Sequence, residues 1–354
     1  MHKIDLFLIM FVHSFIMASN ITIVELASAL GLSKSTVSRA FRDNQDINPR
    51  TKERILEKAK ELGFSPNLYA SNLRGSKSQT IAIIIPEFGN KFFSQAIKGI
   101  EWVARSNGYH VLIYVTDHNA VKEAEIIQTL VNGRVDGVIM SGSGEGNSHE
   151  YLKLLEYNKV PIVFFDRYYE DVPTACVTGN DFDSSYEATK HLIENDAKRI
   201  AYLAVNKDVS IGRIRMEGYK KALHDAALPI DDRLILDTSN EAVINYEDIR
   251  ELILNEKPDA IFASVERLAM STIRVAKALN LTIPNDLKLI CFSCLDIADM
   301  LQPALSVVKQ PAYEMGIQAT TQLFDILCGR KQGGVREIVF LDSELIFQAS
   351  STKA

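Results

Sequence analysis

The sequence predicts an α/β protein in two parts: a small all-helical head, then a large body with two parallel, doubly wound sheets. Its 354 residues are too many for one ordinary domain. Residues 20–78 carry the capping signals and apolar periodicity of helices. From residue 79 onwards, short β-branched runs alternate with amphipathic stretches of helical length.

Charge separates the two parts. Residues 20–78 hold ten Lys and Arg against six Asp and Glu, whereas the rest of the chain holds 29 against 39. A basic head on an acidic body indicates that only the head meets a polyanion.

The four cysteines lie scattered in apolar stretches, which is typical of a reducing compartment rather than of a disulfide framework. Cys291 and Cys294 have C-x-x-C spacing, but no second pair follows. Buried strand thiols are therefore favoured over a zinc or redox site.

Residues 1–19 pose a separate question. Lys3 precedes the apolar run Leu6–Met17, which is short for a membrane span and nearer to the core of a signal peptide. Three explanations stay open: an over-extended start with translation beginning at Met17, a fortuitous apolar extension, and a true signal or anchor. The first is favoured because basic, helical sequence follows directly.

A capping box at Thr22 and Glu25 predicts a first helix that ends just before Gly31. Gly31 provides a sharp turn, from which a second helix begins at Ser33 or Lys34. The expected inward faces of these helices hold Val24, Ala27, Leu30, Val37, Ala40 and Phe41.

The outward face of the second helix predicts contact with DNA, because small hydroxyls allow close approach and cations meet phosphate or guanine. The alternative is an ordinary helical bundle with a solvated charged face. A third helix begins at Asn48-Pro49 and ends at Gly63. The outward residues are Lys34, Ser35, Ser38, Arg39 and Arg42, and the third helix is expected to add Ile55, Leu56, Ala59 and Leu62 to the core.

This segment closely resembles the head of the LacI/GalR (lactose-repressor/galactose-repressor) family of transcription regulators, through residues 21–39, 48–55, 62–67 and 66–74. The resemblance implies a helix-turn-helix domain over residues 20–65, with a hinge helix and linker over 66–78. Leu73 is expected to wedge into the minor groove. The implied contacts with palindromic double-stranded operator DNA are Thr22, Ser33, Lys34, Ser35, Thr36, Ser38, Arg39, Arg42, Asn67, Ala70, Leu73 and Arg74.

In the body, strand-helix alternation predicts parallel strands covered on both faces, and two series of runs imply two lobes. The first series is residues 80–85, 111–115, 137–140 and 161–165, and the second is residues 199–205, 260–263 and 287–292.

Ligands of open α/β sheets bind beyond the carboxyl ends of the strands, so polar residues that follow each run are candidate contacts. Carboxylates, guanidinium groups and aromatic rings facing a cleft suit a polyol or sugar-like ligand. The alternative is surface loops whose aromatic rings belong to the core. The candidate effector contacts are Phe92, Phe93, Asp166, Arg215, Glu266 and Ser293, with Glu87, Arg167, Arg213 and Arg267 in the same loops.

The family resemblance extends through the body, at residues 90–93, 166–167, 215–219 and 343–346. It implies a bilobed, periplasmic-binding-protein-like effector domain over 79–354 that binds a sugar or nucleoside and forms a homodimer. The expected lobes are about 79–178 with 307–334, and about 179–306 with 335–354.

Two positions depart from the family pattern. Glu266-Arg267 stands where the family often has Asn-Asp, and Ser293-Cys294 replaces Asp-Asp or Asp-Asn. The ligand of a familiar member therefore cannot be transferred to this chain.

Two other classes of protein fit less well. A periplasmic sugar-binding protein would begin its first strand soon after a signal peptide, whereas residues 20–78 are helical and basic. An enzyme is disfavoured because the sequence has no G-x-S-x-G elbow, Walker loop or H-E-x-x-H, and the glycine-rich residues 142–146 lack a Lys-Ser/Thr ending. The resemblance implies a cytoplasmic, allosteric repressor with a carbohydrate effector, and no cofactor, metal or membrane partner.

Overall fold

The computed structural model describes residues 21–41, 47–64, 77–132, 134–144, 149–205, 210–238 and 242–352. The chain divides into two compact units, Met1–Ser76 and Lys77–Ala354. Within the described ranges, no helix is both long and apolar enough to cross a bilayer. The apolar run before residue 20, and the expected DNA contacts Arg42, Asn67, Ala70, Leu73 and Arg74, lie outside the described residues.

Among its described residues, the first unit has three helices, each of which begins at the residue that the sequence predicts. Thr22 and Glu25 form a reciprocal capping box, Ser33 accepts from the Thr36 amide, and Asn48 caps the third helix. The helices are α1 (Ile23–Leu30), α2 (Lys34–Ala40) and α3 (Pro49–Glu61).

The core of this unit differs from the prediction at two positions. Val24 is 56% exposed and Leu56 is 43% exposed, so their predicted places in the core are wrong. Residues four apart share a helix face, and the inward face of α1 is the one that carries Leu26 with Leu30. The buried residues are Leu26, Ala27, Leu30, Val37, Ala40, Ile55 and Ala59, with Phe41 packed partly buried against them.

In the second unit, strands and helices alternate as predicted. Every predicted run forms a strand, with each bound within one residue of the expected position. The elements are β1 (Thr80–Ile85), α4 (Lys91–Ser106), β2 (His110–Val115), α5 (Ala120–Leu130), β3 (Gly137–Met140), α6 (Lys153–Tyr157), β4 (Ile162–Phe165), β5 (Ala175–Gly179), α7 (Asp181–Glu194), β6 (Ile200–Val205), α8 (Ser210–Asp225), β7 (Ile235–Thr238), α9 (Ala242–Glu256), β8 (Ala260–Ala263), α10 (Glu266–Ala278), β9 (Lys288–Phe292), β10 (Ser306–Lys309), α11 (Ala312–Leu327), β11 (Glu337–Leu341) and β12 (Glu344–Ile346).

These strands form two six-stranded sheets among the described residues. The first lobe is built on the order β11-β5-β4-β3-β1-β2, and the second on β12-β10-β9-β8-β6-β7. All strand pairs are parallel except β10 with β12. Apolar clusters lie on both faces of each sheet, which explains why the central strands read as continuous apolar runs.

The predicted bounds of the lobes need correction. Residues 307–334 were expected in the first lobe, but β10 pairs with β9 in the second sheet. Residues 335–354 were expected in the second lobe, but β11 pairs in register with β5 in the first sheet. Within the described residues, the chain therefore crosses between lobes after β5, after β10 and after β11. Both strands are short, so their sequences alone do not show which sheet each one joins.

Asn180 joins two of these crossings. Its side-chain amide donates to Oδ1 of Asp342 at 3.1 Å, and its Oδ1 accepts from the Ser343 amide at 2.9 Å. The crossing after β5 is thereby bonded to the crossing after β11.

Candidate functional sites

In the first unit, α2 presents cations and small hydroxyls on one side. Lys34, Ser35 and Arg39 are exposed, while Val37 and Ala40 anchor the opposite side in the core. A helix with this division has the shape and charge to enter a DNA groove while its other face stays packed.

Some of the predicted DNA contacts already have intramolecular partners. The Thr22 hydroxyl bonds to Glu25, and the Ser33 hydroxyl caps α2 and lies 2.8 Å from the hydroxyls of Ser35 and Thr36. Ser38 is half-buried. These hydroxyls stabilise the starts of α1 and α2. The exposed charged groups of α2 are the cations Lys34 and Arg39.

A residue outside the predicted set, Arg54, also positions this surface. Its guanidinium donates to the Leu30 carbonyl at 2.6 Å and so ties α3 to the end of α1. Leu30 directly precedes Gly31, whose left-handed backbone, with φ of +64°, ends α1 and turns the chain towards α2.

In the second unit, the carboxyl ends of strands from both lobes face a common cleft. The space left in it is about 20 Å³, which is room for about one water molecule. The residues around it are Asn90, Phe92, Phe93, Asp166, Arg167, Ile211, Arg215, Ser264, Val265, Phe292, Ser293, Cys294 and Gln310.

Arg215 is the most heavily bonded charge in the cleft. Its Nε donates to Oδ1 of Asp181 at 2.6 Å, its Nη1 donates to the Ser264 carbonyl at 2.9 Å, and its guanidinium lies 3.7 Å from the centre of the Phe292 ring. Burial lowers the pKa of Arg215, but the carboxylates of Asp181 and Asp166 outweigh burial and raise it. Arg215 is therefore held as a fixed cation.

The glycine of the Arg-x-x-Gly pattern explains how Arg215 reaches this place. A Cβ on Gly218 would lie 2.3 Å from the Phe182 carbonyl, so only glycine lets α8 approach α7 this closely. The close approach brings Arg215 on α8 to Asp181 at the start of α7.

Asp166 is buried directly after β4, in a left-handed turn with φ of +61°. Its carboxylate accepts from the Ser141 hydroxyl at 3.3 Å and lies 3.8 Å from Nε of Arg167. Burial raises the pKa of Asp166 to about 6, although Arg167 and Arg215 both act to lower it.

The two candidates at departures from the family pattern meet each other. The Ser293 hydroxyl donates to Glu266 at 3.0 Å, and the other oxygen of Glu266 accepts from the backbone amide of Lys91 at 3.2 Å. Glu266 thus joins the second lobe to the first turn of α4, where a carboxylate is favoured by the helix dipole.

Phe92 and Phe93 are core residues as well as cleft residues. Both are buried, and both pack on Phe165 with ring centres 6.4 and 6.2 Å apart. The aromatic rings therefore form an apolar wall of the cleft.

Ion pairs connect the lobes around the cleft. Glu87 lies 3.4 Å from Arg267, and Lys91 lies 2.9 Å from Asp296. Arg213 pairs with Glu170.

Five of the six predicted effector contacts line the cleft, and the sixth, Glu266, is bonded to Ser293. Gln310 also lines the cleft, while Asp181 bonds to Arg215 and His118 contacts Arg167. Asp181 and Gln310 follow β5 and β10, which the apolar runs do not reveal. His118 follows β2, a predicted strand, so the rule that polar residues after strands are candidate contacts could have identified it. No group of three or more His, Cys, Asp or Glu in the described ranges is arranged to hold a metal ion.

Known proteins resemble both units. Residues 22–67 match the family described as bacterial regulatory proteins, lacI family. Residues 78–340 match periplasmic binding proteins and sugar binding domain of LacI family.

Catabolite control protein A of Priestia megaterium is 31% identical over 85% of this chain and 90% of its own length. The HTH-type transcriptional regulator DegA of Bacillus subtilis is 30% identical over 94% of this chain and 98% of its own length. The fold of the lac repressor dimer bound to operator and the anti-inducer ONPF matches with a TM-score of 0.82 at 20% identity, over 95% of this chain and 100% of that chain. The chain belongs to the LacI family of bacterial transcription regulators, and it combines the DNA-binding head of that family with its sugar-binding domain.

Proposed function

We propose that this protein represses transcription by binding a palindromic operator as a homodimer, and that a carbohydrate bound between the lobes changes its affinity for that operator. The observation that carries the effector half is the cleft itself. Buried Asp166 and Arg215 come from different lobes and face one space, beside the aromatic wall formed by Phe92 and Phe93. Carboxylate, guanidinium and aromatic groups in this arrangement suit sugar hydroxyls and sugar rings.

Family relatives support the same assignment of partners. The lac repressor structure contains operator DNA, and a second neighbour, a transcriptional regulator CelR-cellobiose complex, matches with a TM-score of 0.70 at 24% identity over 93% of this chain and 99% of that chain. Repressors act on the chromosome, so we place this protein in the cytoplasm. We assign the cleft a binding role and no reaction, because the relatives of this chain are DNA-binding regulators.

In the proposed head, Lys34 and Arg39 bind phosphate or guanine while Ser35 and Ser38 allow close approach of α2. Thr22, Ser33 and Thr36 support the starts of α1 and α2 and contact the backbone of DNA. We assign Arg42, Asn67, Ala70 and Arg74 to DNA as well, and Leu73 to a wedge that kinks the centre of the operator from the minor groove.

The proposed coupling between sites uses the two lobes. Effector binding changes how the lobes close, which changes the spacing of the paired hinge segments 66–78 in a dimer. Because binding free energies are reciprocal, operator DNA must change effector affinity by the same factor.

The DNA assignment is tested by operator affinity as a function of salt. Lys34→Ala and Arg39→Ala should each make the log-log slope shallower by about one, since each neutralised phosphate contributes about one power of salt. Lys60→Ala, at the far end of α3, is the matched control and should keep the parent slope. Parent slopes in both α2 variants would contradict the assignment.

The effector assignment is tested with a thermal-shift panel of monosaccharides, disaccharides and sugar acids, since a ligand that binds only the native state raises its stability. For each sugar that binds, Asp166→Ala and Arg215→Lys should weaken binding by at least about tenfold, as expected for charged hydrogen bonds. Operator binding without effector should stay near the parent value. Glu217→Ala, exposed on the same helix as Arg215, is the control. Parent-like responses of both cleft variants would show that the effector binds elsewhere.

A further inference from the structure

The carboxylate of Glu87 lies among donor groups from both lobes. Its Oε1 is 3.4 Å from Nη1 of Arg267 in the second lobe and 3.9 Å from Nε2 of His118 in the first. The charge of Glu87 also acts to raise the pKa of Arg167, although burial lowers it overall. Glu87 thus faces a guanidinium group and an imidazole, and that imidazole contacts a second guanidinium group, Arg167.

His118 completes this arrangement as a neutral donor. Arg167 can only donate, so its Nη1, 3.2 Å from Nδ1 of His118, requires that Nδ1 accepts and that the proton is on Nε2, the atom nearest Glu87. Burial, together with the charges of Arg167 and Arg267, lowers the pKa of His118 to about 4. At neutral pH the imidazole therefore adds a donor without adding charge.

Arg167 has a buried donor to spare. Its side chain is 6% exposed. Its Nε lies 3.8 Å from Asp166, too far for a hydrogen bond, and has no hydrogen-bond partner among the described residues. A buried guanidinium N–H without a partner costs free energy, so this position favours an additional acceptor.

The other carboxylates of the cleft are already bonded within the protein. Asp181 accepts from Arg215, Glu266 accepts from Ser293 and from a backbone amide, and Asp166 accepts from Ser141. Glu87, in the loop between β1 and α4, differs because its contact with Arg267, at 3.4 Å, is longer than any of these bonds. If this loop moves, the contact between Glu87 and Arg267 is broken.

We propose that Glu87 occupies the subsite of an acidic group of the effector, and that the effector is a sugar carrying a carboxylate or a phosphate. This inference rests on the proposed function of the cleft as the effector site. The free space of about 20 Å³ is too small for any sugar, so a ligand must open the lobes and displace a side chain. An acidic sugar that displaces Glu87 supplies the same charge to Arg267 and adds an acceptor for Arg167. Guanidinium groups match both carboxylate and phosphate oxygens in pairs.

The test uses matched pairs of probes at constant ionic strength: glucose against glucuronate, gluconate and glucose 6-phosphate, and galactose against galacturonate. At least one acid is expected to bind at least about tenfold more tightly than its neutral parent. Tight binding of glucuronate, gluconate or galacturonate indicates a carboxylate ligand, whereas tight binding of glucose 6-phosphate indicates a phosphate ligand.

Three variants then test the subsite with the acid that binds. Glu87→Gln removes the internal competitor and should tighten acid binding without tightening binding of the neutral sugar. Arg267→Gln should reduce the preference for the acid to near parity. The control is Arg213→Gln, since Arg213 also pairs across the lobes but is 49% exposed at the rim. It should retain the preference.

The outcomes separate the two proposals. A neutral sugar that binds as tightly as its acid, or a Glu87→Gln variant with no gain for the acid, overturns the inference and leaves the proposed function standing. A panel in which no acid binds also overturns the inference. Failure of every sugar, together with failure to bind operator DNA, is the outcome that removes the proposed function itself.

Discussion

At the residue scale, the cleft depends on buried charges whose pKa values differ from their ordinary ones. Asp166 is the clearest case, because burial raises its pKa to about 6 despite two neighbouring guanidinium groups. A carboxyl group with a raised native pKa lowers the free energy of unfolding once it ionises. Asp166 therefore destabilises the fold at neutral pH, which fits the binding role that we propose for it.

Asp166→Asn should remove this pH dependence, because an amide side chain does not titrate. In the parent, the unfolded chain loses the Asp166 proton near pH 4 and the folded chain near pH 6, so the contribution of Asp166 to stability is present below about pH 4 and lost by about pH 6. A difference of about two pH units corresponds to about 3 kcal/mol. In urea unfolding between pH 4 and 7, the free energy of unfolding of the variant minus that of the parent should increase with pH by up to this amount. Asp183→Asn, an exposed carboxylate on α7, is the control, and a pH-independent difference for Asp166→Asn would contradict the argument.

At the element scale, close helix pairs set the geometry of the site. Gly218 allows α8 to approach α7, and in the first lobe Gly316 allows α11 to approach α4, where a Cβ would lie 2.1 Å from the Ala96 carbonyl. Backbone atoms cannot give way as a flexible side chain can, so these contacts require glycine.

We expect Gly218→Ala to reduce the free energy of unfolding by about 1–3 kcal/mol through overpacking, even though alanine favours helices. It should also weaken effector binding, because separating α8 from α7 draws Arg215 away from Asp181. Chemical denaturation and effector titration measure the two effects. Glu217→Ala, one residue earlier on the exposed face, should leave both near the parent value. A Gly218→Ala variant as stable as the parent would show that the helices adjust freely.

Among the described residues, the first sheet ends at β2, which has no neighbouring strand on its outer side. Leu112 and Ile113 on this strand are 36% and 41% exposed. An uncovered apolar edge favours pairing with another chain, and we assign it to the homodimer.

Ile113→Lys should therefore shift the protein from dimer to monomer in sedimentation experiments and weaken operator binding with it, because a palindrome needs two heads. Ile230→Lys, an exposed apolar residue elsewhere in the body, controls for the added charge. An Ile113→Lys protein that stays dimeric would place the interface on another surface.

The position of a strand within its sheet affects how well the sequence predicts it. Central strands such as β1 and β8 are buried on both faces, so continuous apolar runs reveal them. β7, β11 and β12 lie at or near the margins of the sheets and carry exposed positions, so their patterns are weak. Because the apolar runs do not reveal β5 and β10 either, strand ends do not predict the cleft-region residues that follow them, Asp181 and Gln310.

At the scale of the whole molecule, the lobes are joined by crossing segments that Asn180 bonds together. The relative movement of the lobes must bend these segments. A side chain that bonds one crossing to another therefore helps to transmit a change in the cleft to the rest of the protein.

Replacing Asn180 with alanine should reduce the ratio of operator dissociation constants with and without effector. Couplings of this kind are about 1–3 kcal/mol, so a loss of severalfold is expected. Fluorescence anisotropy with labelled operator measures the ratio. Asn158→Ala, which removes only a bond within a surface turn, is the control. An unchanged ratio in Asn180→Ala would show that the crossings move independently.

After β10 the chain returns to the first lobe, and this order affects how the lobes fold during synthesis. Residues 80–179 leave the ribosome before the second lobe, but the core of their own lobe is completed by Met315, Ala319 and Leu323 of α11, and their sheet by β11. At about 5–20 residues per second, this apolar surface waits on the order of ten seconds for its cover. The second lobe in turn receives its outer strand, β12, only from residues 344–346. A nascent chain halted just before α11 would leave both sheets unfinished, because residues 312–346 supply the missing helix and strands of both lobes.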